Sequence, residues 1–233
     1  MHYVLLLMLA ITAPAKAGEP LRVAVAANFR STLQQISEVF EQHSGYRVVL
    51  SSGSTGVLYN QIVHGAPFDL FFSADAASTQ KLAVTGANRG EPFCYARGTL
   101  VLAGGDGTLA QLANPQYSLA IANPVTAPYG IAAMEVLARP EFAAGGDRKL
   151  LRGSNVVQAY QFWHSGGANL ALVPKALAPT ATTIPAAWHA PLDQFAIALT
   201  PTNDNKALAS YLKWIRSDTV RSLIADAGYQ PCP

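Results

Sequence analysis

The sequence predicts an α/β protein built on mainly parallel sheets. Three observations carry that prediction. Short apolar runs, such as Leu21 to Ala27 and Asp69 to Ser73, have the length of buried strands. Longer runs with one apolar face alternate with them. The breaks between them hold Gly, Ser, Asn and Pro. Strand and helix signals in alternation imply βαβ units, whose strands lie parallel.

In chain order, Leu21 to Ala27 is a strand ended by Asn28. Thr32 to His43 is an amphipathic helix with Leu33, Ile36 and Phe40 on one face, stopped by Gly45. Arg47 to Leu50 is the second strand, followed by Ser51-Ser52-Gly53-Ser54-Thr55-Gly56 and a helix from Val57. Gly65-Ala66-Pro67 breaks that helix. Asp69 to Ser73 is the third strand and Ala77 to Val84 the next helix. Cys94 to Ala103 is read as one longer strand, closed by Gly104-Gly105-Asp106-Gly107. Tyr117 to Ala122 is a strand, and Ile131 to Ala138 and Val156 to Ser165 are helices. Ala168 to Val173 and Gln194 to Thr200 are strands. Asn205 to Arg216 and Thr219 to Ala227 are the final helices.

The first residues read as a targeting segment. Tyr3 to Ile11 is apolar but too short to span a bilayer, and Ala15-Lys16-Ala17 has a small-x-small cleavage pattern. The expectation is a cleaved signal peptide at 1–17 and an exported mature chain. A formal net charge of +2, with 13% charged residues, gives no basic stripe for nucleic acid. The two cysteines, Cys94 and Cys232, have neither metal-site nor Cys-x-x-Cys spacing. An exported compartment favours their pairing as a disulfide.

Four loops sit at strand C-termini or helix N-termini: Ala26-Ala27-Asn28-Phe29, Gly53-Ser54-Thr55-Gly56, Ala127-Pro128-Tyr129-Gly130 and Ser154-Asn155-Val156-Val157. Ligands of open α/β sheets bind outside the carboxyl ends of the strands. These loops are rich in neutral donors and poor in acids, which suits an oxyanion at helix N-termini. Arg30 and Arg152 lie near them in sequence and raise the local positive potential or are simply solvated. Asp69, Asp75 and Asp193 suggest no acid–base pair. The five histidines, His2, His43, His64, His164 and His189, are scattered without metal-ligand spacing. Ser54 lacks the Gly-x-Ser-x-Gly setting of a nucleophile elbow.

In this order the loops, together with Gly65-Ala66-Pro67-Phe68-Asp69-Leu70-Phe71-Phe72-Ser73-Ala74-Asp75, resemble periplasmic molybdate-binding proteins of ABC importers. Ala122-Asn123-Pro124, Pro128-Tyr129-Gly130-Ile131 and Asn155-Val156-Val157-Gln158-Ala159 extend the resemblance across the mature chain. It implies the type II periplasmic-binding-protein architecture, with two α/β lobes and two strand crossovers. Lobe 1 is expected at residues 18–98 with 197–233, lobe 2 at 99–196, and hinges near Arg97 to Leu100 and Gln194 to Ala196. It implies capture of molybdate, and tungstate, without catalysis, cofactor or metal cation. Delivery to a membrane ABC permease and a monomeric, periplasmic state go with it. Position by position, the ligands are Asn28, Ser54 or Thr55, Tyr129, and the Val156 backbone N–H. Where some relatives place a ligand Tyr after Val, this chain has Val173-Pro174, and Tyr129 is expected to compensate. The alternatives are another tetrahedral oxyanion, such as sulfate or phosphate, and an exported hydrolase using Ser54 or Thr55.

Overall fold

The structure, a computed structural model, describes residues 19–86, 88–199 and 206–233. The expected signal segment lies outside them. Among the described residues, ten strands form two sheets of five.

The first sheet begins with β1 (Leu21–Ala26), α1 (Arg30–Ser44), β2 (Val48–Gly53), α2 (Thr55–Val63), β3 (Leu70–Ser73), α3 (Ala76–Val84) and β4 (Phe93–Arg97). The second holds β5 (Leu100–Gly104), β6 (Leu119–Ala122), β7 (Leu150–Gly153), β8 (Leu170–Pro174) and β9 (Thr182–Thr183), with α4 (Pro128–Leu137) and α5 (Val156–His164) between them. The chain returns through β10 (Asp193–Ala198) to the first sheet, then ends in α6 (Lys206–Ile215) and α7 (Asp218–Asp226). The strand orders are β2-β1-β3-β10-β4 and β7-β6-β8-β5-β9. In each, three parallel strands are joined by antiparallel ones: β10 against β3 and β4, and β5 against β8 and β9. This is the two-lobed architecture that the resemblance implies.

Helix α1 shows why these residues make these elements. Thr32, Leu33, Ile36, Ser37 and Phe40 recur at helical spacing and are buried. Gly45, at φ 72°, takes the left-handed C-cap conformation and donates its N–H to Glu41 O. One core gathers Phe29, Phe72, Tyr95, Tyr211 and Tyr229, and a second lies around Leu102, Ile121, Tyr129 and Leu172.

The run Cys94 to Ala103 is not one strand. It divides at Gly98-Thr99 into β4 and β5, which belong to different sheets. An apolar run carries no mark of where it leaves a sheet. The expected return at 196/197 falls inside β10, which lies in the first sheet from Asp193 onward. The two passages are tied together. Gly98 N–H donates to Leu192 O at 2.9 Å, and the Arg97 guanidinium grips Asp193 with two hydrogen bonds of 2.5 and 3.1 Å. No strand signal marks β7 in the sequence, because Lys149 precedes and Arg152 interrupts its short apolar run.

Cys94 and Cys232 are disulfide-bonded, their Cα atoms 6.0 Å apart. The bond fixes the C-terminal tail to β4. Gln230 exchanges backbone hydrogen bonds with Arg97 beside it, at 2.8 and 2.9 Å. Among the described residues no helix is long and apolar enough to cross a membrane.

Candidate binding site

A small cavity lies between the sheets, lined by Ala26, Ala27, Asn28, Ser54, Thr55, Ala74, Ala127, Pro128, Tyr129, Asn155 and Val156. It is far smaller than the pockets of drug-sized ligands, roughly 300–1,000 Å³. The structure therefore brings Asn28, Ser54, Thr55, Tyr129 and Val156 together. Pro174 is not in the lining; it ends β8, opposite Leu100.

Ser54 is the N-cap residue of α2, yet its hydroxyl makes no capping bond. Ser54 Oγ is buried without any hydrogen-bond partner. Such an atom carries an unrepaid desolvation cost of about 1–3 kcal/mol. Thr55 differs: its Oγ1 accepts from the Ala74 N–H at 3.0 Å and ties α2 to the end of β3. The serine hydroxyl has no partner within the protein, while the threonine oxygen has one.

On the facing lobe, Asn155 caps α5 by accepting from the Val157 and Gln158 N–H groups at 2.9 and 3.1 Å. Val156 is the first residue of that helix, so its N–H has no intrahelical acceptor. Tyr129 stands in the first turn of α4 and is 1% exposed.

Below the cavity runs a polar network that the sequence did not reveal. Gln194, fully buried in β10, accepts at Oε1 from Asn28 Nδ2 and Tyr95 Oη, both at 2.8 Å. Its Nε2 donates to Tyr129 Oη at 3.3 Å. Asn28 Nδ2 also donates to Tyr229 Oη at 3.3 Å, and Tyr229 Oη donates to Asn28 O at 2.6 Å. Both amide hydrogens of Asn28 are thus used within the protein. The donor left to it is its main-chain N–H, at the turn between β1 and α1.

No charged residue lines the cavity, and among the described residues no three His, Cys, Asp or Glu could hold a metal ion together. Burial pushes the phenols of Tyr95 and Tyr129 well above their ordinary value, and Tyr229 and Tyr211 upward also. They remain protonated donors across the neutral range. The same shifts fix a dependence of stability on pH. Below about pH 10 the tyrosines are neutral whether the chain is folded or not. Above it the unfolded chain loses protons that the native state keeps, so stability falls as pH rises. Calorimetric melts should be insensitive to tyrosine from pH 7 to 9 and then drop, by up to roughly 1.4 kcal/mol per tyrosine per pH unit. A melting temperature unchanged to pH 11 would contradict the burial of these hydroxyls.

The lobes touch at the rim. Gly56 N–H donates to Thr126 O at 2.9 Å, and a Cβ on Gly56 would stand 3.2 Å from that oxygen. The cavity is therefore seen closed, with its donors nearly without solvent exposure.

A family model described as bacterial extracellular solute-binding protein matches residues 21–230. The chain is 35% identical over 230 residues to the molybdate-binding protein ModA of Azotobacter vinelandii, covering 92% of this chain and 91% of that one. To ModA of Rhodobacter capsulatus it is 33% identical over 236 residues, with 97% and 93% covered. The solved structure of the Azotobacter vinelandii periplasmic molybdate-binding protein matches with a TM-score of 0.84 at 33% identity, covering 91% of this chain and all of that one. Two lobes, a closed donor-lined cavity and a match along nearly the whole described length agree: the chain belongs to the bacterial extracellular solute-binding protein family, and it is a binding protein rather than an enzyme.

Proposed function

We propose that this protein captures molybdate, and tungstate with it, in the interlobe cavity and delivers the anion to a membrane ABC permease. Residues 1–17 would direct export to the periplasm and be removed in the process. The lobes would divide near Gly98, with the C-terminal part of the chain from β10 returning to the first. The observation that carries the reading is the buried, unpartnered Ser54 hydroxyl in a cavity without any carboxylate. The Val156 N–H, the Asn28 main-chain N–H and the Tyr129 hydroxyl complete a set of neutral donors. The relatives named above support the choice of anion. Ser54 has no base against it, since no histidine or carboxylate lines the cavity, and this disfavours the hydrolase.

Calorimetric titration with molybdate, tungstate, sulfate and phosphate tests the proposal. Molybdate is a dianion without a proton at neutral pH, so every ligand oxygen accepts. Monohydrogen phosphate must bury an O–H among donors, at about 1–3 kcal/mol. It should bind roughly one to two decades more weakly on that count alone, since 1.4 kcal/mol is tenfold. Sulfate is also proton-free, and only its shorter bonds distinguish it. Tyr129→Phe should weaken molybdate by about 1–3 kcal/mol. Unaltered affinity in a folded Tyr129→Phe protein would remove the phenol from the ligand set.

A further inference from the structure

The Tyr129 hydroxyl lies in a narrow seat. A Cβ placed on Gly98, at the crossover, would fall 1.9 Å from Tyr129 Oη and 2.8 Å from Gln194 Nε2. On that side the phenol meets main chain, and beside it stands the Gln194 amide donating at 3.3 Å. The direction of that bond is fixed from the far end of the same side chain. Gln194 Oε1 accepts from Asn28 Nδ2 and from Tyr95 Oη, which carries a single hydrogen and also lies 3.1 Å from Ser73 O, and this arrangement turns the amide nitrogen to Tyr129. A phenol has one hydrogen. With a donor against its oxygen, that hydrogen is turned away from Gln194.

Building on the oxyanion reading above, we propose that Gln194 is the specificity-determining positioning residue of the site: by donating to Tyr129 Oη it blocks that oxygen as an acceptor and presents the phenol to the cavity as a donor only. A ligand that must donate a proton then finds no acceptor at Tyr129. Gln194 touches no ligand in this scheme. Its position also links Asn28 on the first lobe to Tyr129 on the second, so the donor-only state is complete only when the lobes are together.

The test is calorimetry at pH 8 with molybdate, sulfate and phosphate on the wild type, Gln194→Met and Gln194→Glu, each checked by thermal melting. Methionine keeps the length and removes the N–H, which frees Tyr129 Oη to accept. The molybdate-to-phosphate affinity ratio should then fall at least tenfold. The molybdate-to-sulfate ratio should hold within about twofold, because neither anion carries a proton. General loosening of the site would move both ratios together, and that result would overturn the proposal. So would a folded Gln194→Met protein with the wild-type phosphate ratio. Glutamate keeps the shape, but its carboxylate draws the phenol hydrogen towards itself, so molybdate binding should drop at least a hundredfold. If methionine prevents folding, wild-type molybdate affinity in Gln194→Glu would overturn the proposal by itself. A wild type that binds none of the anions would instead defeat the oxyanion reading beneath it.

Discussion

Replacing both cysteines with serine should lower the unfolding free energy by about 4–5 kcal/mol, the loop-entropy value for a closed loop of well over 100 residues. The bridge joins positions 138 apart in sequence, and its ends meet at a Cα separation of 6.0 Å. At about 2–4 °C per kcal/mol for a chain of this size, the melting temperature should fall by roughly 10–20 °C. A second effect sets this bridge apart from a purely structural one. The tail that it holds carries Tyr229, whose hydroxyl donates to Asn28 O at the edge of the cavity. Once Cys232 is free, the Arg97–Gln230 pairing and the buried Tyr229 are left to keep that tail against the first sheet. Anion affinity should therefore fall along with stability. Calorimetry with and without reductant reads both. An unchanged melting temperature would mean that the tail holds without its bridge.

Ser54→Ala should separate binding from folding. The alanine protein loses a hydroxyl that donates to the anion, and molybdate affinity should drop by about 1.5–3 kcal/mol, a factor of roughly ten to a hundred and fifty. Its melting temperature without ligand should not fall, because the native state gives up a buried hydroxyl that has no partner. Thr55→Val should do the reverse to stability. It strands the Ala74 N–H, which now donates to Thr55 Oγ1, at a cost of about 1–3 kcal/mol. If Ser54→Ala binds molybdate as the wild type does, the serine is not a ligand and the threonine takes its place.

What was legible in the sequence was local. A helix start is written in a few adjacent residues, so Ser54, Thr55, Tyr129 and Val156 could be picked out as donors from the loops that hold them. The order of strands and helices followed from periodicity for the same reason. The network under the cavity was not local. Gln194 meets Tyr129 across 65 positions, Tyr95 across 99 and Asn28 across 166. In the sequence it is one polar residue in a strand-like run, and Tyr229 is one aromatic residue near a terminus. A glutamine at the head of an otherwise apolar run, Phe195 to Leu199, was the available signal. The choice between Ser54 and Thr55 stayed open because nothing in the chain says which hydroxyl Ala74 will occupy.

The contact between Gly56 and Thr126 has a consequence in time. With the lobes touching at the rim, an ion inside cannot leave past side chains that are almost wholly buried. Escape must wait for the lobes to part, so the dissociation rate cannot exceed the rate of opening. Entry meets the same barrier from outside, and the association rate scales with the fraction of molecules that stand open. Substitutions at the rim would then alter residence time without touching the ion, and those beneath the cavity would alter selectivity without changing how often the door opens.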